Sequence, residues 1–100
     1  MSKTYFVYIL SNKKNGTLYV GVTSHISGRI FSHKSKSNDG FTKKYDISKL
    51  VHYEMFADPV SAIKREKLLK NWNRDWKIKL IEKNNPEWRD LYSEVAFYNQ

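Results

Sequence analysis

The chain has 100 residues, 15% of them aromatic, and a formal net charge of +8, which suits one small domain whose modest core leans on large rings. With no cysteine, a disulfide framework, a thiolate metal site and a cysteine nucleophile are all excluded. The early apolar run, Tyr5 to Leu10, is too short for a signal-peptide core or a membrane helix, so a cytoplasmic protein with no membrane partner is expected.

The charge is unevenly placed. Residues 1–50 carry nine Lys/Arg against two Asp, whereas residues 51–100 carry nine against eight Asp/Glu. A positive field concentrated in one half draws polyanions, of which nucleic acid is the commonest, although a solvated surface without a ligand would show the same excess.

Taken in chain order, Tyr5–Leu10 and Leu18–Thr23 are aromatic and β-branched runs on either side of a loop containing Asn15-Gly16, a strong turn signal. They predict an antiparallel hairpin. With Leu10 facing Thr17, Tyr8 would face Tyr19, close enough to share one pocket; a slip of register would move both. Thr23 and Ser24 offer N-caps for a helix reaching about Lys34. In it, Ile26, Arg29, Ile30 and His33 recur at i, i+3, i+4 and i+7, so Arg29 and His33 share the face that the isoleucines bury. Gly28 costs this helix about 1 kcal/mol relative to alanine.

Lys34 to Lys49 reads as a long loop rich in Lys, Ser, Asn and Gly. Leu50 to Phe56 alternates as a third strand, half exposed, with Val51, Tyr53 and Met55 on one face and His52 and Glu54 on the other. Asp58-Pro59 is an N-cap followed by proline at the first helical position. The helix it opens runs to about Asn71 with Ala62, Leu68, Leu69 and Trp72 on its apolar side. A further helix spans about Arg74 to Lys83, and a short turn starts at Asn85-Pro86. The chain shows no internal repeat and no linker, so one domain over 1–100 is expected, with the motifs within about 5–85 and a short helical tail over 86–100.

The order Phe6-Val7-Tyr8, turn, Tyr19-Val20-Gly21, then Arg29-x-x-x-His33 and a helical Glu66 resembles the GIY-YIG nuclease superfamily, in its small single-domain bacterial branch. The stretch Ala62 to Glu66 and the closing Asn85 to Leu91 resemble that branch too. Phe6 and Val7 stand where the first motif has glycine and isoleucine, and Val20 replaces the second motif's isoleucine. The resemblance implies an α+β fold, a three-stranded antiparallel sheet flanked by helices. It also implies a divalent-metal-dependent endonuclease that hydrolyses nucleic-acid phosphodiesters, with Mg²⁺ as cofactor and Mn²⁺ as a substitute. DNA is expected ahead of RNA, with structure-selective cutting. A non-catalytic nucleic-acid-binding module on the same fold is the alternative, and a structural or interaction protein a further one.

Each candidate residue also has an ordinary structural reading. Tyr8 and Tyr19 correspond to the family's paired tyrosines, one of which helps to activate water; a phenol with a pKa of about 10 needs a nearby cation for that. They would otherwise be core rings. Gly21 permits close backbone approach or forms a bulge. Arg29 offers a permanently charged fork for phosphate, or a salt bridge. His33 relays a proton or holds the phosphate, or is a satisfied structural histidine. Glu66 is the metal ligand, or an i, i+4 partner of Lys70. Arg65 has no assigned role. Asn85 is preferred as an N-cap over a site residue. Lys34, Lys36, Lys43, Lys44 and Lys49 are candidates for phosphate contact, with Phe41 and Tyr45 for base stacking, unless the loop is merely solvated. Trp72, Trp76 and Trp88 are expected in the core.

Overall fold

The computed structural model describes residues 3–35 and 40–98. Its centre is strand β1 (Tyr5–Ser11), flanked antiparallel by β2 (Leu18–Thr23) and β3 (Lys49–Phe56) in the order β2-β1-β3. A central strand covered on both faces must be apolar throughout, which is why Phe6 to Leu10 shows no polar alternation and is buried at every position. Even-numbered residues Phe6, Tyr8 and Leu10 enter one core with Ile26, Ile30, Ile47, Leu50, Leu91 and Val95. Odd-numbered Val7 and Ile9 enter a second core with Val20, Val51, Ala62, Leu69, Ile81 and Trp88. Helices α1 (Ile26–Lys34) and α5 (Tyr92–Val95) therefore cover the first face, and α3 (Pro59–Asn71) and α4 (Arg74–Asn84) cover the second. The expected architecture is the one found.

The hairpin register differs from expectation by two residues. Leu10 pairs with Tyr19, and Tyr8 pairs with Gly21. A shift of two preserves the face, so the tyrosines remain on one side as diagonal neighbours. The turn is as predicted: Asn15 adopts a left-handed φ of 58°, and the Gly16 N–H donates to the Lys13 carbonyl at 2.9 Å. Thr23 does not cap α1 as expected. Its hydroxyl accepts from the His25 N–H at 3.0 Å, and α1 has no side-chain cap. The loop read over 34–49 contains a four-residue helix α2 (Phe41–Lys44), too short to leave a periodic signal.

In β3 the simple alternation fails at one point. A bulge lies opposite Ile9 and Leu10, so that Ile9 pairs with His52 but Leu10 with Leu50. The extra residue, Val51, turns into the second core with Ala62 and Ile81 instead of sharing a face with Tyr53. The Glu54 face, expected to be half exposed, is closed by α3. Arg65 binds Glu54 through two hydrogen bonds of 2.8 and 3.0 Å, lies 5.2 Å from the Trp72 ring centroid, and so pins α3 to β3. The His52 Nε2–H donates to the same carboxylate at 2.8 Å.

Asn85 is not an N-cap; it ends α4, and no helix begins at Pro86. Its amide donates to the carbonyls of Val51 at 3.1 Å and Arg89 at 2.9 Å, and its oxygen accepts from the Arg89 N–H at 3.0 Å. The bulged strand is thereby tied to the closing segment. Trp88 is held at a φ of 57°, a conformation unfavourable for a bulky side chain. Complete burial of its ring and a 2.7 Å bond from its indole to Glu82 offset that cost. Trp72 is half buried, and Trp76 is 53% exposed rather than core. Leu68 likewise points outward, and Glu66 takes a buried place beside Ala62 and Leu69.

Replacing Asn85 with alanine strands the buried Val51 carbonyl and removes the acceptor of the part-buried Arg89 N–H. The expected loss is about 2–3 kcal/mol of unfolding free energy, read as a lower urea midpoint with an unchanged slope.

Candidate active site

The two tyrosines meet His33 in a triangle of rings on the first face. Centroids are 6.4 Å apart for Tyr8–Tyr19, 6.2 Å for Tyr8–His33 and 5.6 Å for Tyr19–His33. β1 supplies Tyr8, β2 supplies Tyr19, and the buried stripe of α1 supplies His33 with Ile26 and Ile30. Gly21 makes room for Tyr8: a Cβ there would lie 2.5 Å from its Cζ and its hydroxyl. The close approach expected of this glycine is thus made by a ring within the chain, and the strand irregularity lies in β3 instead.

Burial pushes the Tyr8 hydroxyl well above the ordinary tyrosine value, the neighbouring Tyr19 adds to it, and Glu66 acts the same way. The Arg29 guanidinium, by charge and hydrogen bonding, opposes the rise. Tyr8 is therefore a neutral donor at rest, with a cation and an anion both in electrostatic reach. Arg29 stands on the rim of α1 and is exposed, unlike its isoleucine neighbours. A guanidinium there can face solvent or substrate while still acting on Tyr8.

His33 is buried, and its Nδ1 lies 3.1 Å from the Thr42 hydroxyl. Burial, then the charge of Arg29, holds its imidazole below the ordinary histidine value, so it is neutral at pH 7. Its Nε2 is buried with no hydrogen-bond partner among the described residues, which is costly unless a ligand or proton transfer uses it. Thr42 went unassigned in the sequence. It sits on a four-residue helix, and nothing in the spacing links it to His33.

Glu66 comes from α3, the layer on the opposite face. It is only 9% exposed, and its Oε2 is 2.6 Å from the Lys70 ammonium, so the i, i+4 pair forms. Its Oε1 has no hydrogen-bond partner among the described residues. No group of three or more His, Asp or Glu side chains is placed to hold a metal among the described residues. One carboxylate oxygen nonetheless suits Mg²⁺, which keeps several waters and takes further oxygens from substrate phosphate.

The candidate phosphate-binding lysines do not behave as a set. Lys34 donates to the Ser48 carbonyl and forms an ion pair with Asp90, so its charge is engaged inside the fold. Lys44 lies 5.4 Å from the centroid of the Tyr45 ring, Lys43 is exposed, and Lys49 is half buried in β3. Phe41 and Tyr45 are exposed and pack on each other at 4.8 Å. Lys36 lies outside the described residues.

A family model described as the GIY-YIG catalytic domain matches residues 4–79. The chain belongs to the GIY-YIG family. Among its relatives is a UPF0213 protein of Syntrophus aciditrophicus, 43% identical over 88 residues, covering 87% of this chain and 98% of that one. Another, from Staphylococcus haemolyticus, is 36% identical over 78 residues, covering 78% and 94%. The solution structure of a UPF0213 protein from Bacillus halodurans shares the fold, with a TM-score of 0.55 at 24% identity over 94% of this chain and 97% of that one. The candidate residues Tyr8, Tyr19, Arg29, His33 and Glu66 come from β1, β2, α1 and α3 and lie within the matched region. Phe6, at the first motif's glycine position, is completely buried, its ring 5.3 Å from Tyr98 and 6.3 Å from Tyr53. The larger residue fills space against the closing segment of the chain, which lies beyond the matched region. Among the described residues no helix is long and apolar enough to cross a membrane.

Two predictions follow from this geometry. Gly21→Ala should cost about 1–3 kcal/mol by overpacking against Tyr8. Most of that loss should vanish in a Tyr8→Val background, a coupling that urea unfolding of the four-member cycle measures. The second concerns pH. His33 has a folded value below its unfolded one, so it favours folding above about pH 6.5 and loses that contribution as pH falls towards its folded value. Burial raises the Glu54 carboxyl, but hydrogen bonds and charges from His52 and Arg65 outweigh it and hold it at about 2. Its contribution is full above the ordinary value of 4.5 and is lost as pH falls towards 2. Melting temperatures from pH 2 to 8 should show both declines, with His33→Gln flattening the upper one and Glu54→Gln the lower.

Proposed function

We propose that this chain is a divalent-metal-dependent endonuclease that hydrolyses phosphodiester bonds of nucleic acid, with DNA as the preferred substrate and branched or otherwise structured DNA as its target. The observation that carries the reading is a neutral Tyr8 hydroxyl under the opposing influence of Arg29 and Glu66, beside a histidine whose Nε2 has no partner. Membership of the GIY-YIG family supports the chemistry.

Hydrolysis needs a water proton removed, charge on the phosphoryl oxygens stabilised, and the leaving oxygen supplied with a proton. Arg29, exposed on the rim, places its planar fork on the non-bridging oxygens. Tyr19, half buried and the more accessible phenol, orients the attacking water, and Tyr8 donates into the same network. His33 is held neutral, so its imidazole accepts the water proton and the resulting imidazolium returns it to the leaving oxygen, with Thr42 orienting the ring. Glu66 would hold Mg²⁺, or Mn²⁺ in its place, which supplies Lewis-acid stabilisation of the phosphate when bound.

A second reading, binding without cutting, draws on the Lys70 ammonium 2.6 Å from Glu66, which neutralises the proposed ligand. Supercoiled plasmid, branched DNA, single-stranded DNA and structured RNA, offered with and without Mg²⁺ or Mn²⁺, separate the two. Metal-dependent cutting is expected, with Arg29→Ala and Glu66→Ala each reducing it by about 100-fold or more at unchanged circular dichroism. Cutting at wild-type rates by both variants would sink the assignment. Retention of DNA without cleavage under every condition would establish the binding module.

A further inference from the structure

An open cleft of about 630 Å³ lies between the β1–β2 loop and α4, away from the ring triangle. Its walls carry Lys13 from the loop and Arg74 and Lys77 from α4, with Asn12 and Asn15, and no acidic or aromatic side chain lines it. Three cations thus converge from segments about sixty residues apart. Arg74 closes the cleft: its Nη2 donates to the carbonyls of Asn15 at 2.6 Å and Gly16 at 2.7 Å. Its Nε and Nη1 make no hydrogen bond among the described residues, and they remain available to an incoming anion. Lys13 forms no ion pair among the described residues. Lys77 is half buried, and its ammonium makes one long bond, 3.4 Å, to the Lys70 carbonyl. Burial pulls that ammonium below the ordinary lysine value with no carboxylate to compensate. A partly desolvated cation of this kind is completed by an anion.

The cleft adjoins two elements, α3 and β2, that carry candidate-site residues. The residue whose carbonyl receives Lys77 is Lys70, whose side chain pairs with Glu66. Leu18 on the cleft wall immediately precedes Tyr19.

We propose that this cleft is a phosphate-binding subsite for nucleic acid, with Lys13, Arg74 and Lys77 gripping its backbone. The inference rests on the nuclease reading and adds where the substrate runs. Cations and amides without an aromatic platform recognise phosphates and not bases, so the grip is independent of sequence.

The test uses the full chain in EDTA, with fluorescein-labelled duplex, branched and single-stranded oligonucleotides, titrated from 50 to 200 mM NaCl. The Lys13→Gln/Lys77→Gln variant leaves the Arg74 clamp on the loop intact, and Lys43→Gln/Lys44→Gln is the comparison. Each phosphate contact removed lowers the slope of log K against log salt by about 1. The cleft variant should therefore lose about 2 from the slope and bind roughly tenfold or more weakly at 100 mM NaCl, with unfolding midpoints matching the wild type. An unchanged slope and affinity would overturn the subsite, even if the wild-type protein cuts nucleic acid with added Mg²⁺. A wild-type protein that binds but never cuts would remove the nuclease reading, and the slope would still decide the subsite. Failure to bind any of the three probes at 50 mM NaCl would overturn both.

Discussion

The geometry of the candidate site hangs on a missing methyl group. The Tyr8 ring lies where a side chain at position 21 would have to be, and this places its hydroxyl beside α1 within electrostatic reach of Arg29. From that packing follow the ring triangle with Tyr19 and His33, and the burial that keeps Tyr8 protonated. The buried phenol stays protonated, and a different residue at position 21 would dissolve the arrangement without touching any chemical group.

The surrounding scaffold holds the contributing elements against each other. Arg65 and Glu54 pin α3 to β3, and the neighbouring Glu66 is buried beside Ala62 and Leu69. On the first face, the closing segment is bound to β3 at its edge: the Leu91 N–H donates to the Leu50 carbonyl at 2.7 Å, and Asp90 accepts from the Leu50 N–H at 3.2 Å. Asp90 also takes Lys34 at the end of α1. One carboxylate thus joins α1, β3 and the tail, which stabilises the helix carrying Arg29 and His33 at the cost of a surface cation. It also covers part of a strand edge that would otherwise be open to pairing.

The two charged regions differ in composition. Near the rings Glu66 is paired with Lys70, and Arg29 stands as a net positive charge beside a neutral histidine and phenol. The hairpin–α4 cleft is unbalanced, with three cations and no acid. A single cation beside neutral rings makes a local field, whereas three cations without an acid make a broader one.

The sequence alone determined the elements and their chemistry. Unbroken apolarity in Tyr5–Leu10, the Asn15-Gly16 turn, the i, i+3, i+4, i+7 stripe of α1 and the Asp58-Pro59 start are local signals. Local steric and capping forces made them legible, and the resemblance to the family supplied the candidate tyrosines, arginine, histidine and glutamate. What depended on distant contacts could not be read. The two-residue register shift, the bulge that turns Val51 inward, and the Asn85 clasp that meets it are set by packing between segments far apart in the chain. Thr42 reaches His33 only because a one-turn helix folds across α1. The basic half of the sequence suggested phosphate contacts along residues 34–49, yet Asp90, from the other half, engages Lys34. The cleft instead joins Lys13 to Arg74 and Lys77. Charge is counted along a chain, but its field depends on which charges the fold brings within a few ångströms and leaves without a partner.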